Sequence, residues 1–208
     1  MLITFEGPEG SGKTTQARLL LQHLEELGRK VILVREPGGT PLGDQIRDIV
    51  KHARSLTLSP RSEVLLFAAS RAELVERVIR PRLEEDYVVI CDRYSDSTLA
   101  YQGYGRGLPL DQIRCVVEMA SCGLTPDLTF LLDLPPELGL TRNKREPAPD
   151  WDRFEEEDLD FHRRVREGYL QLAGLEPQRW VVLDATRPRA ELHALICKQV
   201  EERLRKAL

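Results

Sequence analysis

The segment Gly7-Pro8-Glu9-Gly10-Ser11-Gly12-Lys13-Thr14-Thr15 matches G-x-x-x-x-G-K-[ST] and lies between a short apolar run and a stretch with helical spacing. Glycines there let the chain turn tightly, so that successive backbone N–H groups point at phosphate oxygens. The helix that follows adds the positive end of its dipole. In this pattern Lys13 reaches the β- and γ-phosphates of a nucleoside triphosphate, and the Thr14 hydroxyl ligates Mg²⁺. The motif specifies phosphate binding but not its use, since kinases, GTPases, motors and switches share it. A guanine-reading N-K-x-D would mark a GTPase. Asn143-Lys144-Arg145-Glu146 ends in Glu inside a charged segment and does not qualify.

The elements that position this loop are legible in the hydrophobic pattern. Runs at Leu2 to Phe5, Val31 to Val34, Val88 to Ile90, Leu128 to Leu132 and Trp180 to Leu183 suit strands buried on both faces. Helical spacing covers Thr14 to Leu27, which Gly28 stops, and Ser62 to Ile79, which Pro81 closes. It recurs over Leu110 to Ala120, Asp158 to Ala173 and Arg189 to Leu208. Strands alternating with helices predict a single α/β domain over residues 1–208, a three-layer P-loop fold with a five-stranded parallel sheet flanked by helices. In such sheets ligands gather beyond the carboxyl ends of the strands, so the residues just after each run are the place to seek chemistry.

Those residues are Glu36-Pro37-Gly38-Gly39-Thr40 after the second run and Asp92-Arg93-Tyr94 after the third. With Ala100-Tyr101-Gln102-Gly103, Phe67-Ala68-Ala69-Ser70-Arg71 and Leu183-Asp184-Ala185-Thr186, they resemble the signature of bacterial thymidylate kinases through nearly the whole chain. The resemblance implies phosphorylation of dTMP to dTDP by ATP with Mg²⁺. It implies that Asp92 holds the Mg²⁺ shell opposite Thr14, and that Arg93 and Arg47 clamp the dTMP phosphate, for which guanidinium forks are well shaped. Glu36 would sit near the acceptor phosphate and the metal's water shell. Phe67 and Arg71, four residues apart on one helix face, would stack on thymine and donate to a ring carbonyl. Taken without the resemblance, Phe67 reads as core. Thr98 and Gln102 would bond the N3 edge, and Tyr101 would crowd the sugar 2′ carbon.

Arg142, Lys144, Arg145 and Arg153 fall in a stretch broken by Pro147 and Pro149, which predicts an irregular lid over about 142–155. The phosphate loop carries Glu9 and no arginine, and Asp152-Arg153-Phe154-Glu155 resembles the lid motif of the bacterial members. The family pattern then implies that the lid supplies the arginine for the transferring phosphoryl, Arg153 first and Arg142 second. Chemistry of this kind needs alignment and charge stabilisation, with no covalent intermediate.

A net charge of -4 and a pI near 5.7 give no overall attraction to nucleic acid or anionic membrane, so phosphate must be met by locally gathered cations. Cys91, Cys115, Cys122 and Cys197 show no C-x-x-C pair and no histidine at zinc spacing, which predicts reduced, mostly packed thiols. No apolar stretch approaches 18 residues and no basic leader precedes the first run, so a cytoplasmic protein is expected. Family resemblance alone implies a homodimer. The rival readings are a kinase of another monophosphate and a non-catalytic nucleotide switch.

Overall fold

The computed structural model describes residues 1–52, 56–145 and 153–206. All five apolar runs are strands, each one or two residues longer than its apolar core. They are β1 (Leu2–Glu6), β2 (Val31–Arg35), β3 (Val88–Asp92), β4 (Leu128–Asp133) and β5 (Trp180–Asp184). Every pairing is parallel, in the order β2-β3-β1-β4-β5. The residue that ends each strand at its carboxyl side is polar, and these ends lie side by side: Arg35 pairs with Asp92, and Asp133 with Asp184.

Alternation sends successive side chains to opposite faces. Ile3, Phe5, Val88, Ile90, Phe130 and Leu132 pack against Ala17, Leu20 and Leu24 of α1 (Lys13–Glu26) and Leu192, Ile196 and Val200 of α9 (Arg189–Lys206). Leu2, Val89 and Cys91 point the other way, onto Leu74, Val75 and Ile79. On that second face Leu131 and Trp180 join Ile113 of α6 (Leu110–Ser121) and Phe161, Val165, Tyr169 and Leu172 of α8 (Leu159–Leu175).

Several helices escape the apolar-period reading or depart from it. α2 (Pro41–Arg47) is short and opens on a Thr40 cap, whose hydroxyl accepts from the Gly43 N–H. α3 (Pro60–Leu74) does not stop at Pro81. It widens through 75–79 and continues as α4 (Arg80–Glu84), where Pro81 sits in the first turn and its missing N–H costs little. α5 (Ser95–Thr98) runs into another widened turn over Leu99–Gly105, a geometry frequent at functional sites. α7 (Pro136–Arg145) corrects the expectation that Arg142 lies in an irregular flap, because it stands on a helix. The rest of the expected lid, 146–152 with Asp152, and the side chains of Lys144 and Arg145 lie outside the described residues, as do 207–208 of the last expected helix. Cys91 and Cys197 are buried, but Cys115 and Cys122 are exposed, so only half of the expected thiol packing is observed.

Glu6, at the end of β1, is a fully buried carboxyl in a closed cage. It accepts from the Tyr94 N–H at 2.8 Å, the Ser97 hydroxyl at 2.6 Å and the Tyr169 hydroxyl at 3.0 Å. Burial first, and then the nearby Asp96 carboxylate, pushes its pKa up to about 7. An acid whose folded pKa exceeds its unfolded value contributes stability at low pH that disappears as pH rises through the folded value. Stability from this group should therefore fall by about 3 kcal/mol between pH 4.5 and 7. Glu6→Gln should flatten that slope in guanidinium unfolding measured across this range; an unaltered slope would show that Glu6 does not titrate there.

Candidate active site

The phosphate loop leaves β1 at Gly7 and enters α1 at Lys13. Gly7, Gly10 and Gly12 all take positive φ (140°, 69° and 90°). At Gly7 a Cβ would also lie 2.5 Å from the Leu132 carbonyl of β4, so the tight turn and the close strand both require glycine. The Lys13 ammonium is curled into the loop, donating to the Pro8 carbonyl at 2.7 Å and the Ser11 hydroxyl at 3.2 Å. Burial and the Arg93 charge push its pKa down to about 8. Thr14 donates to Asp92 at 2.5 Å. A hydroxyl from the first turn of α1 and a carboxylate from the end of β3 form a hard-oxygen donor pair, which fits Mg²⁺. Thr15 is exposed on the first turn of α1.

Beside this loop opens a cleft. Its walls include Phe67 and Arg71 from α3, Arg93 from the end of β3, Thr98 from α5, and Tyr101 and Gln102 from the widened turn. Glu36 and Pro37 complete one side. Arg47 stands behind that wall, half-buried, with Nη1 donating to the Pro37 carbonyl at 3.1 Å. Lys51, unremarked in the sequence, is the cation from this region that lines the cleft.

Arg93 is held in the left-handed region, φ 66°, a conformation that costs about 1 kcal/mol for a residue with a side chain. Its guanidinium turns back to the phosphate loop, donating to the Gly7 carbonyl at 3.1 Å, the Tyr169 hydroxyl at 3.2 Å and the Glu9 carboxylate at 2.7 Å. Tyr101 lies beneath it, 5.0 Å from ring centroid to guanidinium carbon, and donates its hydroxyl to the same Glu9 oxygen at 2.6 Å. Burial disfavours the charged Glu9, yet Arg93, Lys13 and Tyr101 overcome this and hold its pKa well below the carboxylate range. Glu9 therefore joins loop to cleft. In the sequence it is only one of the variable letters of the motif.

Arg71 is buried and meets Glu36 through two nitrogens, Nε at 2.9 Å and Nη2 at 2.5 Å from Oε2. Burial pushes the Glu36 carboxyl up while Arg71 pulls it back. Arg71 Nη2 also donates to Thr98 at 3.0 Å and to the Tyr94 carbonyl at 3.2 Å, whereas its Nη1 is buried without a hydrogen-bond partner in the protein. Glu36, expected near the metal's water shell, thus has Arg71 as its direct partner.

The other unforeseen residue is Glu63, buried on α3. It accepts from the Gln102 amide at 2.7 Å, from Arg106 at 3.3 Å and from Arg153 in a very short contact. With its NH₂ held in this way, Gln102 turns its carbonyl elsewhere. Arg153 packs over Phe154, whose ring lies 6.1 Å from that of Phe67. The two lid candidates are thus separated. Arg153 is anchored at the cleft wall, while Arg142 reaches the donor side, with Nη1 3.2 Å from the Ala185 carbonyl and 3.5 Å from that of Gly10. Gly139 of α7 touches the same loop so closely that a Cβ there would collide with the Glu9 carbonyl.

This arrangement can hold one polyphosphate in the loop and a second, ring-bearing anion in the cleft, with Arg93 and Glu9 at the junction. Comparison with known proteins agrees. The thymidylate kinase family model matches residues 5–196. A thymidylate kinase from Deinococcus radiodurans is 54% identical over 203 residues, covering 98% of this chain and 97% of its own. One from Chlorobaculum tepidum is 49% identical over 208 residues, with 97% of each chain covered. The crystal structure of thymidylate kinase from Ehrlichia chaffeensis superposes with a TM-score of 0.78 at 35% identity, covering 96% of this chain and 98% of that one. The chain belongs to the thymidylate kinase family.

Proposed function

We propose that this chain phosphorylates dTMP to dTDP, taking the γ-phosphoryl of ATP by direct in-line transfer. The observation that carries the reading is the position of Arg93. It bonds the Gly7 carbonyl of the phosphate loop and also lines the adjoining cleft, so a phosphate beside it abuts the terminal phosphate of a triphosphate in the loop.

In the cleft, Phe67 offers a face on which a pyrimidine can stack, worth about 1–3 kcal/mol. The Arg71 Nη1 hydrogens would find a ring carbonyl as acceptor, removing the cost of a buried orphan donor. Glu63 fixes the Gln102 amide so that its carbonyl can accept from a pyrimidine N3–H, which thymine and uracil have and cytosine lacks. Tyr101, buried against Glu9, closes the space around the sugar, consistent with a deoxyribose preference. Arg47, bonded to the Pro37 carbonyl, and Lys51, in the cleft wall, would join Arg93 in meeting the dTMP phosphate. Lys13 neutralises the transferring group, and the loop amides of Gly7 to Thr15 cradle the donor. Mg²⁺, held by Thr14 and Asp92, would supply further charge neutralisation between the β- and γ-phosphates.

Arg142 would flank the donor phosphates, and Arg153 would leave Glu63 to reach the phosphoryl. The enzyme would act as one domain over 1–208, with a lid over about 142–155. Among the described residues no helix is long and apolar enough to cross a membrane, and a cytoplasmic location fits the reading. A homodimer through α3 and α6 fits their mutual packing and their exposed Leu65 and Met119, at 58% and 71%.

Three outcomes test this. Across dTMP, dUMP, dGMP, CMP and AMP, ADP release should accelerate most with dTMP, with dUMP behind by about 10–200-fold at most, the worth of one methyl group. Absence of any acceleration by dTMP would reject the function. Arg153→Ala should lower kcat about tenfold or more with a smaller change in the KM for dTMP, and an unchanged kcat would confine Arg153 to anchoring Glu63. Gly139→Ala, by forcing α7 off the loop, should raise the KM for ATP on the order of tenfold while leaving that for dTMP near the parent value.

A further inference from the structure

Far from the cleft, α1 and α9 run side by side, and one cluster between them has no part in the nucleotide machinery. Gln16 Nε2 donates to the Arg189 carbonyl at 3.0 Å at one end of this pairing. Further along stand His23 from the last turn of α1 and His193, Cys197 and Glu201 from α9. His23 lies ten residues beyond Lys13, about 15 Å along the helix.

The spacing on α9 is regular. Residues 193, 197 and 201 follow at i, i+4 and i+8, so an imidazole, a thiol and a carboxylate form one column facing α1. The sequence reading, which expected no histidine at zinc spacing near a cysteine, missed this His-x-x-x-Cys pair.

Ligating atoms of His23, His193 and Cys197 all lie within 4.8 Å of one another. Cys197 Sγ is 3.5 Å from His193 Nε2, and His23 Nε2 is 3.0 Å from Glu201 Oε1. In a tetrahedral zinc site, with Zn–N near 2.0–2.1 Å and Zn–S near 2.3 Å, ligand atoms sit about 3.3–3.6 Å apart. The α9 pair already has that separation, His23 lies within 4.8 Å of both, and Glu201 stands outside that trio as the partner of His23. The two imidazoles meet edge to face at 6.0 Å, angled at 89°, and so leave space between their nitrogens instead of stacking. Cys197 is buried, while the His23 and Glu201 side chains are 26% and 42% exposed, which gives an ion a route in.

We propose that His23, His193, Cys197 and Glu201 form a structural Zn²⁺ site that clips the carboxyl end of α1 to the middle of α9. Two imidazoles, one thiolate and one carboxylate suit a borderline-soft ion, whereas Mg²⁺ prefers oxygen alone, so this site and the Thr14–Asp92 pair select different metals. On coordination the Cys197 thiol loses its proton to solvent, and four protein ligands leave no position for catalysis.

The test uses the full chain, stripped with chelator and kept in excess Mg²⁺ to occupy the oxygen site, then titrated with Co²⁺. One equivalent should give the intense visible bands of a tetrahedral ion with a thiolate-to-cobalt charge-transfer band, and Zn²⁺ should displace both. Zn²⁺ should raise the Tm of the parent and not that of Cys197→Ser, which should also lose the charge-transfer band. His193→Gln should weaken Zn²⁺ binding about 100-fold or more. Because Cys197 is buried, His193→Gln carries the test if Cys197→Ser fails to match the parent's circular dichroism in chelator. A pale octahedral spectrum, unaltered Zn²⁺ affinity in His193→Gln, or a charge-transfer band that survives Cys197→Ser and so belongs to the exposed Cys115 or Cys122, would overturn the site.

Discussion

The ion pair between Glu9 and Arg93 is the constraint on which the rest of the active site depends. The two residues are 84 apart in sequence, and they meet because β1 and β3 are parallel neighbours whose carboxyl ends coincide. The strands set the distance, the glycines let the loop fold back, and the left-handed Arg93 backbone turns the guanidinium toward it. An isolated carboxylate at this depth would be expensive to keep ionised. Arg93, Lys13 and the Tyr101 hydroxyl together hold Glu9 charged, so a ring of mutually dependent groups fixes the phosphate loop against the cleft.

The same device recurs around the cleft. Glu36 holds Arg71, and Glu63 holds Arg106, Arg153 and the Gln102 amide. Buried pairs like these are weak sources of net stability, because desolvation consumes most of the Coulombic attraction. Their effect is positional. A lone arginine has long flexible reach, but one gripped through two nitrogens presents its remaining hydrogens in a single direction, as Arg71 does with Nη1. Glu63 also links the α3 wall of the cleft, through Arg153, to the turn Arg153–Glu156 that carries Phe154, whose ring lies 6.1 Å from that of Phe67.

How much of this was legible follows from the range of each interaction. The strands and α1 announce themselves because burial on both faces demands continuous apolar runs, and the phosphate loop because its geometry demands glycine. Phe67, Arg71, Thr98, Tyr101 and Gln102 were found through resemblance, and the cleft does gather them. Glu9 was read only as part of the phosphate loop and Glu63 was not singled out, since nothing local distinguishes a carboxylate that will meet a partner 84 or 90 residues away. α5 and its widened turn escaped because their packing depends on contacts to α8 instead of on period. α7 escaped because its sequence is mostly polar, with Gly139 at the contact where bulk is forbidden.

The negative overall charge of the chain becomes intelligible on these terms. A phosphate-handling site would by itself raise the net positive charge, yet its cations are matched by carboxylates placed for aim: Glu9 for Arg93, Glu36 for Arg71 and Glu63 for Arg153. Such matching keeps the local field modest at long range while preserving strong fields over a few ångströms, where a phosphate dianion would compete for the same hydrogens. Selectivity for a bound nucleotide over stray anions then comes from shape, since a ligand must fill the apolar space beside Phe67 to recover what it loses in displacing or sharing a carboxylate.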